Sequence, residues 1–587
     1  MCGIFGIVKK EGHLLDDKKI YKMHKAQLHR GPDHFGYLKD GKVFLGNNRL
    51  SIIDLEQGNQ PFYSSDRKIA VLQNGEIFNF VELQNELRGK GIKFDTSSDT
   101  EVILKLYEEY GIEMLNKLNG MFSISILDKK KQCLYLVRDR FGVKPLFYYK
   151  DSTEILFSSE IKSLLEVLKE SSINKKALIS YLKYNFVGGN ESIFNNINSV
   201  KPGHYLKLNL KNNDLNEIDW WDQEKEIVKY QELLSLNSDI DLVREIIFDS
   251  IKIRMRSDVE YSAFLSGGID SSIIVSQMNK ITDTRFNTFT IGFNNSKYDE
   301  SKFADEVAKE LNVNHHCELI NNDILEVWKD VLFYTEQPHG DASFMPMYLL
   351  SKLASKKDKV VLTGDGADEI FGGYDKYFHF NDEKNFLDDF TSESTLFKNS
   401  DIEQLGDFPN VKDVDIIRDL VNVDPLFNSG VLRDAPNMAM YLDVKFLLPN
   451  NNLIKPDRMG MAHSIELRSP FMDYRVVSLG LALRAEEKLK NKTSKYYLRE
   501  AFKNDIPDLV SNRKKQKFIV PLNENKLNIE KFFKIIKNSK LSEIGITNDK
   551  FIENLYFNHL NNKSNNYREL RALAALSLWH DNFSKYI

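Results

Sequence analysis

Cysteine is scarce in this 587-residue chain: Cys2, Cys133 and Cys317 are three thiols set far apart. So few cannot build a disulfide framework, which excludes small oxidised scaffolds and points to a reducing compartment. Long apolar runs are missing too. Nothing approaches the ~18 consecutive apolar residues of a membrane helix. The opening MCGIFGIVKKEGHLLDD has too short an apolar stretch, and no basic lead, for a secretory signal. A cytoplasmic protein is expected. Positive charge is not in surplus: the formal net charge is −5, which argues against broad attraction to nucleic acid or membranes but allows a local basic phosphate pocket. No fixed-period repeat is present. With 42% hydrophobic and 28% charged residues the chain has the balance of a soluble globular protein. Its length predicts two or three domains.

Two thiols carry little chemistry. Cys133, inside the strand pattern QCLYLVRD, reads as a buried structural residue. His315, His316 and Cys317 are consecutive, and neighbours on a strand point to opposite faces, so no zinc site is expected there.

In the first third of the chain, short apolar segments alternate with turn signals: CGIFGIV, KVFLGN, SIID, IAVLQNG, MFSISIL, CLYLVRD and LFYY. These predict strands, with amphipathic helices near Leu83–Lys90 and Glu101–Tyr110, and hence sheets covered by helices. Around Lys211–Lys229 the apolar periodicity fades and a linker is expected. Beyond it, strand and helix alternate: YSAFLSGG then IDSSIIVSQMNK, FNTFTIGF then KFADEVAKEL, KVVLTGDG then ADEIFGGY. That order predicts a parallel sheet with helices on both faces. The acidic stretch from His379 to about Asp424 reads as an insertion or mobile region, and the remainder is mainly helical.

Cys2 follows an initiator methionine of the kind usually trimmed before a small residue. Trimming would leave a thiol and a free α-amine on one residue, and an amine of reference pKa about 7.7–8 can serve as base for its own side chain. Arg49 in NRLSIID offers a planar fork for a substrate α-carboxylate. Asn74 and Gly75 in QNGEIFN can offer an amide and a backbone N–H to one oxyanion. Glu76 and Asp99 could hold a substrate α-ammonium. Each also has a plain structural reading: a strand start for Cys2, a surface ion pair for Arg49, a hairpin turn for Asn74-Gly75, a helix N-cap for Asp99.

Taken together and in order, MCGIFG, HRGPDHFG, NRLSIID, QNGEIFN, SSDTEV and RDRFGVKPLFY resemble the N-terminal-nucleophile glutaminase domain shared by asparagine synthetase and related amidotransferases, over about residues 2–205. The resemblance implies a four-layer αββα sandwich with Cys2 as nucleophile and Asn74 and Gly75 as oxyanion hole. Arg49, Glu76 and Asp99 would grip the α-carboxylate and α-amine of glutamine.

Farther on, SAFLSGGIDSS places a Gly-rich turn between strand and helix, where backbone N–H groups form an anion cradle. Ser266, Ser271 and Ser272 can add hydroxyl donors, and Asp270 is placed to hold Mg²⁺. This is not the G-x-x-x-x-G-K-[ST] loop of terminal phosphoryl transfer. It is similar to the pyrophosphate loop of ATP pyrophosphatases, which attack the α-phosphate of ATP. On that resemblance Leu265, Ser266, Gly267 and Gly268 join the ATP site, Ile291 lies against adenine, Thr363 and Gly364 lie beside the nucleotide, and Asp368 shares magnesium with Asp270. KPDRMGMAHSIELRSPFMD and KTSKYYLREAF also resemble the synthetase domain, whose catalytic lysine is assigned to Lys495, with Lys492 the alternative. Asp365 stands where the family often carries a catalytic Glu. The basic run NRKKQKFIVP is either a further contact or a solvated face.

The expected organisation is therefore a glutaminase domain at 1–212, a linker at 213–235 and an ATP-dependent synthetase domain at 236–587. The expected reaction turns glutamine, aspartate and Mg-ATP into asparagine, glutamate, AMP and pyrophosphate. Another acceptor, such as a peptide or sugar acid, is the alternative. A non-catalytic regulatory relative is a third reading, opposed by the retained Cys2, Arg49, Asn74, SGGIDSS, Asp368 and Lys495. The resemblance also suggests a homodimer.

Overall fold

The computed structural model describes the chain apart from residues 1, 11–12, 237–238, 295–298, 321–323, 381–382, 384, 512 and 514–525. Among the described residues twelve strands precede the parallel part: β1 (Cys2–Lys9), β2 (His34–Asp40), β3 (Val43–Arg49), β4 (Phe62–Tyr63), β5 (Ile69–Ile77), β6 (Gly120–Asp128), β7 (Cys133–Arg138), β8 (Phe147–Lys150), β9 (Glu154–Ser158), β10 (Ile197–Ser199), β11 (His204–Asn209) and β12 (Leu215–Asp219). They form two antiparallel sheets, ordered β10-β8-β9-β1-β3-β2 and β12-β11-β7-β6-β5-β4.

Alternation within the strands sets the layers. On β1, Ile4 and Val8 join Leu45, Leu72 and Leu136 between the sheets, while Phe5 and Ile7 face outward against Ile20 and Met23 of helix Asp17–Ala26. On β5, Ala70 and Leu72 face inward, while Ile69 and Val71 meet Leu83, Leu87, Val102 and Leu106 of helices Phe80–Gly89 and Asp99–Tyr110. Both faces of these strands are covered, giving helix, sheet, sheet, helix.

Five parallel strands make the third sheet, in the order β15-β14-β13-β16-β17: β13 (Tyr261–Phe264), β14 (Asn287–Phe293), β15 (Asn314–Ile320), β16 (Val360–Leu362) and β17 (Glu466–Arg468). Phe264, Phe289 and Val361 pack against helix Phe344–Ala354 on one face. Ala263, Val360 and Leu362 join Ile273 and Ile274 of helix Ile269–Ile281 on the other. Among the described residues no helix is long and apolar enough to cross a membrane.

Three expectations are corrected. SIID is not a strand: Asp54 has φ 51° and the segment turns its carbonyls toward Arg49. The stretch expected as a linker holds β12, paired to β11, and helix Gln223–Leu236, which buries Ile227 and Tyr230 against the neighbouring domain core. The region from His379 to Asp424, expected as an insertion or mobile region, is packed into the core in its described part. Helices Phe386–Ser394, Asn399–Leu405 and Ile416–Val423 bury Phe386, Phe390, Ile402, Leu405 and Ile417, because apolar residues recur at helical spacing between the acidic ones. Of NRKKQKFIVP, only Arg513 lies within the described residues.

Candidate active sites

The strand β1 places Cys2 opposite Arg49 on β3, and Cys2 is 4% exposed. Burial pushes its thiol up, opposed by the Asn47 amide, the Leu50 N–H and the charge on Arg49. Asn74 accepts a hydrogen bond from Cys2 N at 3.2 Å through Oδ1. Its Nδ2, expected to face an oxyanion, donates to the hydroxyls of Ser123 and Ser159 at 3.4 and 3.3 Å. Asn74 and Gly75 lie inside β5, not in a hairpin turn. Gly75 has φ 143°, and a Cβ there would collide with the Met121 carbonyl oxygen, so only glycine fits.

Arg49 is buried and, among the described residues, forms no ion pair. Its terminal nitrogens donate to the carbonyls of Ile53 (2.9 Å), Asp54 (2.7 Å) and Leu55 (3.4 Å) and to Asn59 Oδ1 (2.8 Å). The fork expected for a substrate carboxylate is thus occupied by its own loop, whose inward carbonyls need donors.

Asp99 opens helix Asp99–Tyr110, while the N-cap hydrogen bond comes from Ser98. The Asp99 carboxylate accepts from Ile77 N at 2.9 Å and Gln73 Nε2 at 3.0 Å. Burial raises its pKa, and burial with the nearby Asp99 and Glu466 charges raises that of Glu76 well above normal. Arg468 Nη2 approaches Glu76 at only 3.7 Å, and Glu76 Oε2 is buried with no hydrogen-bond partner among the described residues. An orphaned carboxylate oxygen beside a second carboxylate is the complement of an ammonium group. Gln60, which the motifs did not single out, approaches Cys2 Sγ with Nε2 at 4.0 Å and accepts from Gln73 N at 2.6 Å.

The second site is a cavity of about 580 Å³ at the carboxyl ends of β13, β14 and β16. Its floor is the turn from Leu265 to Gly268, capped by helix Ile269–Ile281. Gly267 has φ 73°, and a Cβ there would strike the Phe303 ring. Ser266 and Ser271 line the cavity, their hydroxyls 3.3 Å apart. Ser272 does not line it: its side chain is fully buried one residue farther round the helix. Ile291, Thr363, Gly364 and Asp365 also line it, with Gly364 packed against Asp270.

Lys495 decides the local electrostatics. Held with φ 53° at the start of helix Tyr496–Phe502, it is 3% exposed and reaches Asp270 Oδ2 at 2.6 Å and Asp368 Oδ1 at 2.7 Å. Burial opposes its charge, but the two carboxylates outweigh burial and raise its pKa. Lys492, by contrast, is exposed and does not line the cavity. Asp270 and Asp368 form an all-oxygen pair, and no group of three or more potential metal ligands occurs among the described residues. That donor set fits Mg²⁺ arriving on a nucleotide, whose phosphates complete the shell.

A glutamine amidotransferase domain model matches residues 1–221, and an asparagine synthase model matches residues 242–581. Asparagine synthetase [glutamine-hydrolyzing] 1 of Bacillus subtilis is 32% identical over 99% of this chain and 96% of its own length. This chain belongs to the glutamine-hydrolysing asparagine synthetase family. A putative asparagine synthetase [glutamine-hydrolyzing] 2 of Methanocaldococcus jannaschii is 37% identical over 64% of this chain and 76% of that one. Amidase chry2 of Gibberella zeae is 28% identical over 89% of each.

The same cavity also has polar lining residues that the motifs did not single out. Lys455, on helix Ile454–Met461, lines it and donates to Ser343 Oγ at 3.2 Å. Asp341 is held ionised, against burial, by Lys455 and His339. Glu369 accepts from Tyr374 (2.5 Å) and Asn452 (2.6 Å). Asp365 sits among these groups, its pKa raised by burial. Lys455 was legible as part of KPDRMG; Asp341 and Asn452 belong to no recognisable pattern.

Proposed function

We propose that the chain forms an amide from a carboxylate acceptor, using ammonia from glutamine and activation by Mg-ATP, with aspartate to asparagine as the leading reaction. The observation that carries this is Lys495 spanning Asp270 and Asp368 beside the SGGIDSS loop, in the same chain as a buried Cys2.

At the first site Cys2 attacks the glutamine side-chain amide while its α-nitrogen, held by Asn74, takes the thiol proton. Glu76 and Asp99 receive the substrate ammonium, and Arg49 takes the α-carboxylate by exchanging a loop carbonyl for it. The Gly75 N–H and the Asn74 amide, turned from Ser123 and Ser159, stabilise the oxyanion. Ammonia leaves, and water then releases glutamate.

At the second site the Gly267 and Gly268 turn and the helix N-terminus cradle the phosphates, with Ile291 against the base. Magnesium, held by Asp270 and Asp368, would neutralise phosphate charge. Lys495 stabilises the charge that develops as the acceptor carboxylate displaces pyrophosphate, leaving an acyl-adenylate. Asp365 is placed to assist ammonia attack. Ammonia must cross from one site to the other unprotonated.

The test is incubation with glutamine, Mg-ATP and aspartate. Asparagine, AMP and pyrophosphate are expected; ADP in place of AMP would sink the adenylation chemistry. Glutamate without aspartate-dependent pyrophosphate would exclude aspartate as acceptor.

A further inference from the structure

Lys488 is fully buried at the end of the short helix Ala485–Lys488, and it forms no ion pair with a described residue. Its ammonium donates instead to two backbone carbonyls, Gly480 O at 2.7 Å and Ile370 O at 3.3 Å. Burial pulls its pKa down to about 7, and the charges of Asp434 and Glu487 offset only part of that. An amine sealed from water without a carboxylate is costly, and a methionine would fill a similar volume without that cost. Lys488 does not line the large cavity, so neither nucleotide nor acceptor explains it.

The two carbonyls lie behind the phosphate site. Ile370 belongs to helix Ala367–Phe371, two residues after Asp368. The last carbonyls of a helix have no partner within it, and a cation is favoured there. Gly480 belongs to helix Tyr474–Ala482, which comes so close that a Cβ on Gly480 would lie 2.2 Å from Ile370 Cγ2. Seven residues after Lys488 the chain reaches Lys495, folding round the same turn. Leu489 packs on Gly372, and Lys495 N donates to Gly372 O at 3.3 Å. The Lys495 side chain passes Gly373 so closely that a Cβ there would stand 2.4 Å from its Cε and 1.7 Å from Asp368 Oδ1. Along this segment Asn491 (φ 57°), Lys492 (φ 56°) and Lys495 (φ 53°) are all left-handed. Such backbone persists in non-glycine residues only where surrounding contacts hold it.

We propose that Lys488 is a positioning residue for the adenylation step: by clamping segment 488–495 to the helix that carries Asp368, it holds the Lys495 ammonium between Asp270 and Asp368. This rests on the amide-forming reading above and adds to it a residue outside the cavity. Lys488 touches no substrate. It anchors one end of a strained segment whose other end bears the lysine that meets the developing charge. Without its donor the Ile370 and Gly480 carbonyls lose their shared partner, the segment relaxes, and the Lys495 ammonium shifts. A shift of about 1 Å is enough to cost about 10²-fold in rate.

The experiment measures aspartate-dependent pyrophosphate release by the full chain with glutamine and Mg-ATP, beside glutaminase turnover without ATP. It compares wild type with Lys488→Met, which keeps the volume and removes the donor, and with Lys488→Arg, which keeps donors for both carbonyls. Lys488→Met should lower kcat for pyrophosphate release by about tenfold or more, with KM for ATP changed less than about threefold. Its glutaminase turnover should be unchanged. Lys488→Arg should keep kcat within about threefold of wild type. A Lys488→Met kcat within about threefold of wild type overturns the proposal. So does a loss of glutaminase turnover or a rise in KM for ATP that matches the fall in kcat, or an arginine variant as slow as the methionine one, because each describes a lysine that only supports the fold. Wild-type protein that releases no pyrophosphate would overturn the amide-forming reading, and the proposal with it.

Discussion

Arg30 and Asp457, 427 residues apart in sequence, are joined by two hydrogen bonds of 2.9 and 3.0 Å in a fully buried contact between the domains. Arg30 also donates through Nε to the Cys2 carbonyl at 3.2 Å. Asp457 receives Lys144 Nζ at 3.2 Å and lies two residues from Lys455 on one short helix. Cys2 and the large cavity are therefore tied to a single element. A buried pair of this kind contributes little over an apolar substitute, but removing one partner strands the other.

Asp457→Asn should accordingly destabilise the protein by about 3–5 kcal/mol at neutral pH, seen as a lower denaturation midpoint. Burial raises the Asp457 pKa, but Arg30 and Lys144 outweigh it and hold the carboxyl at about 2, below its ordinary 3.8. A depressed folded-state pKa gives stability that is complete above the unfolded value and lost as pH falls through the folded one. The gap between wild type and variant should be full above pH ~4 and close as pH approaches ~2. A gap of constant size would assign the effect to packing alone.

Lys495→Met should lower acceptor-dependent pyrophosphate release by about 10²–10³-fold, the cost of losing a group that stabilises developing charge. Lys492→Met should change it less than about twofold, as an exposed substitution does. Glutaminase turnover should survive in both. Equal effects of the two variants would remove Lys495 from its role.

Cys2→Ala should abolish glutamine-dependent amide formation and retain the ammonium-supported reaction. Intact mass and N-terminal sequencing of active enzyme should find Cys2 first. Fully active protein that retains Met1 would rule out the α-amine as base.

Glu76→Gln and Asp99→Asn should each raise KM for glutamine, by about 10- to 100-fold if a charged hydrogen bond to the substrate ammonium is lost. Both carboxyls have raised pKa values, by burial first and then by negative neighbours. They therefore begin to lose charge at a higher pH than ordinary carboxylates, and wild-type kcat/KM for glutamine should decline on the acid side sooner than such groups would dictate. Glu76→Gln should move that acidic limb to lower pH. A limb that stays in place assigns it to another group.

The sequence by itself determined the chemistry that is contiguous. The Leu265–Gly268 turn, Gly75 and the strand–helix alternation of the parallel part are local patterns, because Gly torsions, helix N-termini and apolar periodicity need few neighbours to be read. Tertiary structure decided what depends on burial across the chain. It separated Lys495 from Lys492, three residues apart, by sealing one between Asp270 and Asp368 and leaving the other in solvent. It filled the Arg49 fork with carbonyls of the SIID turn, a strand by pattern, and it turned Ser272 away from the cavity. It joined Arg30 to Asp457 across the domains. Local periodicity assigns a residue to a helix or a strand, but the partner of a buried charge is chosen by desolvation, which only the assembled core imposes.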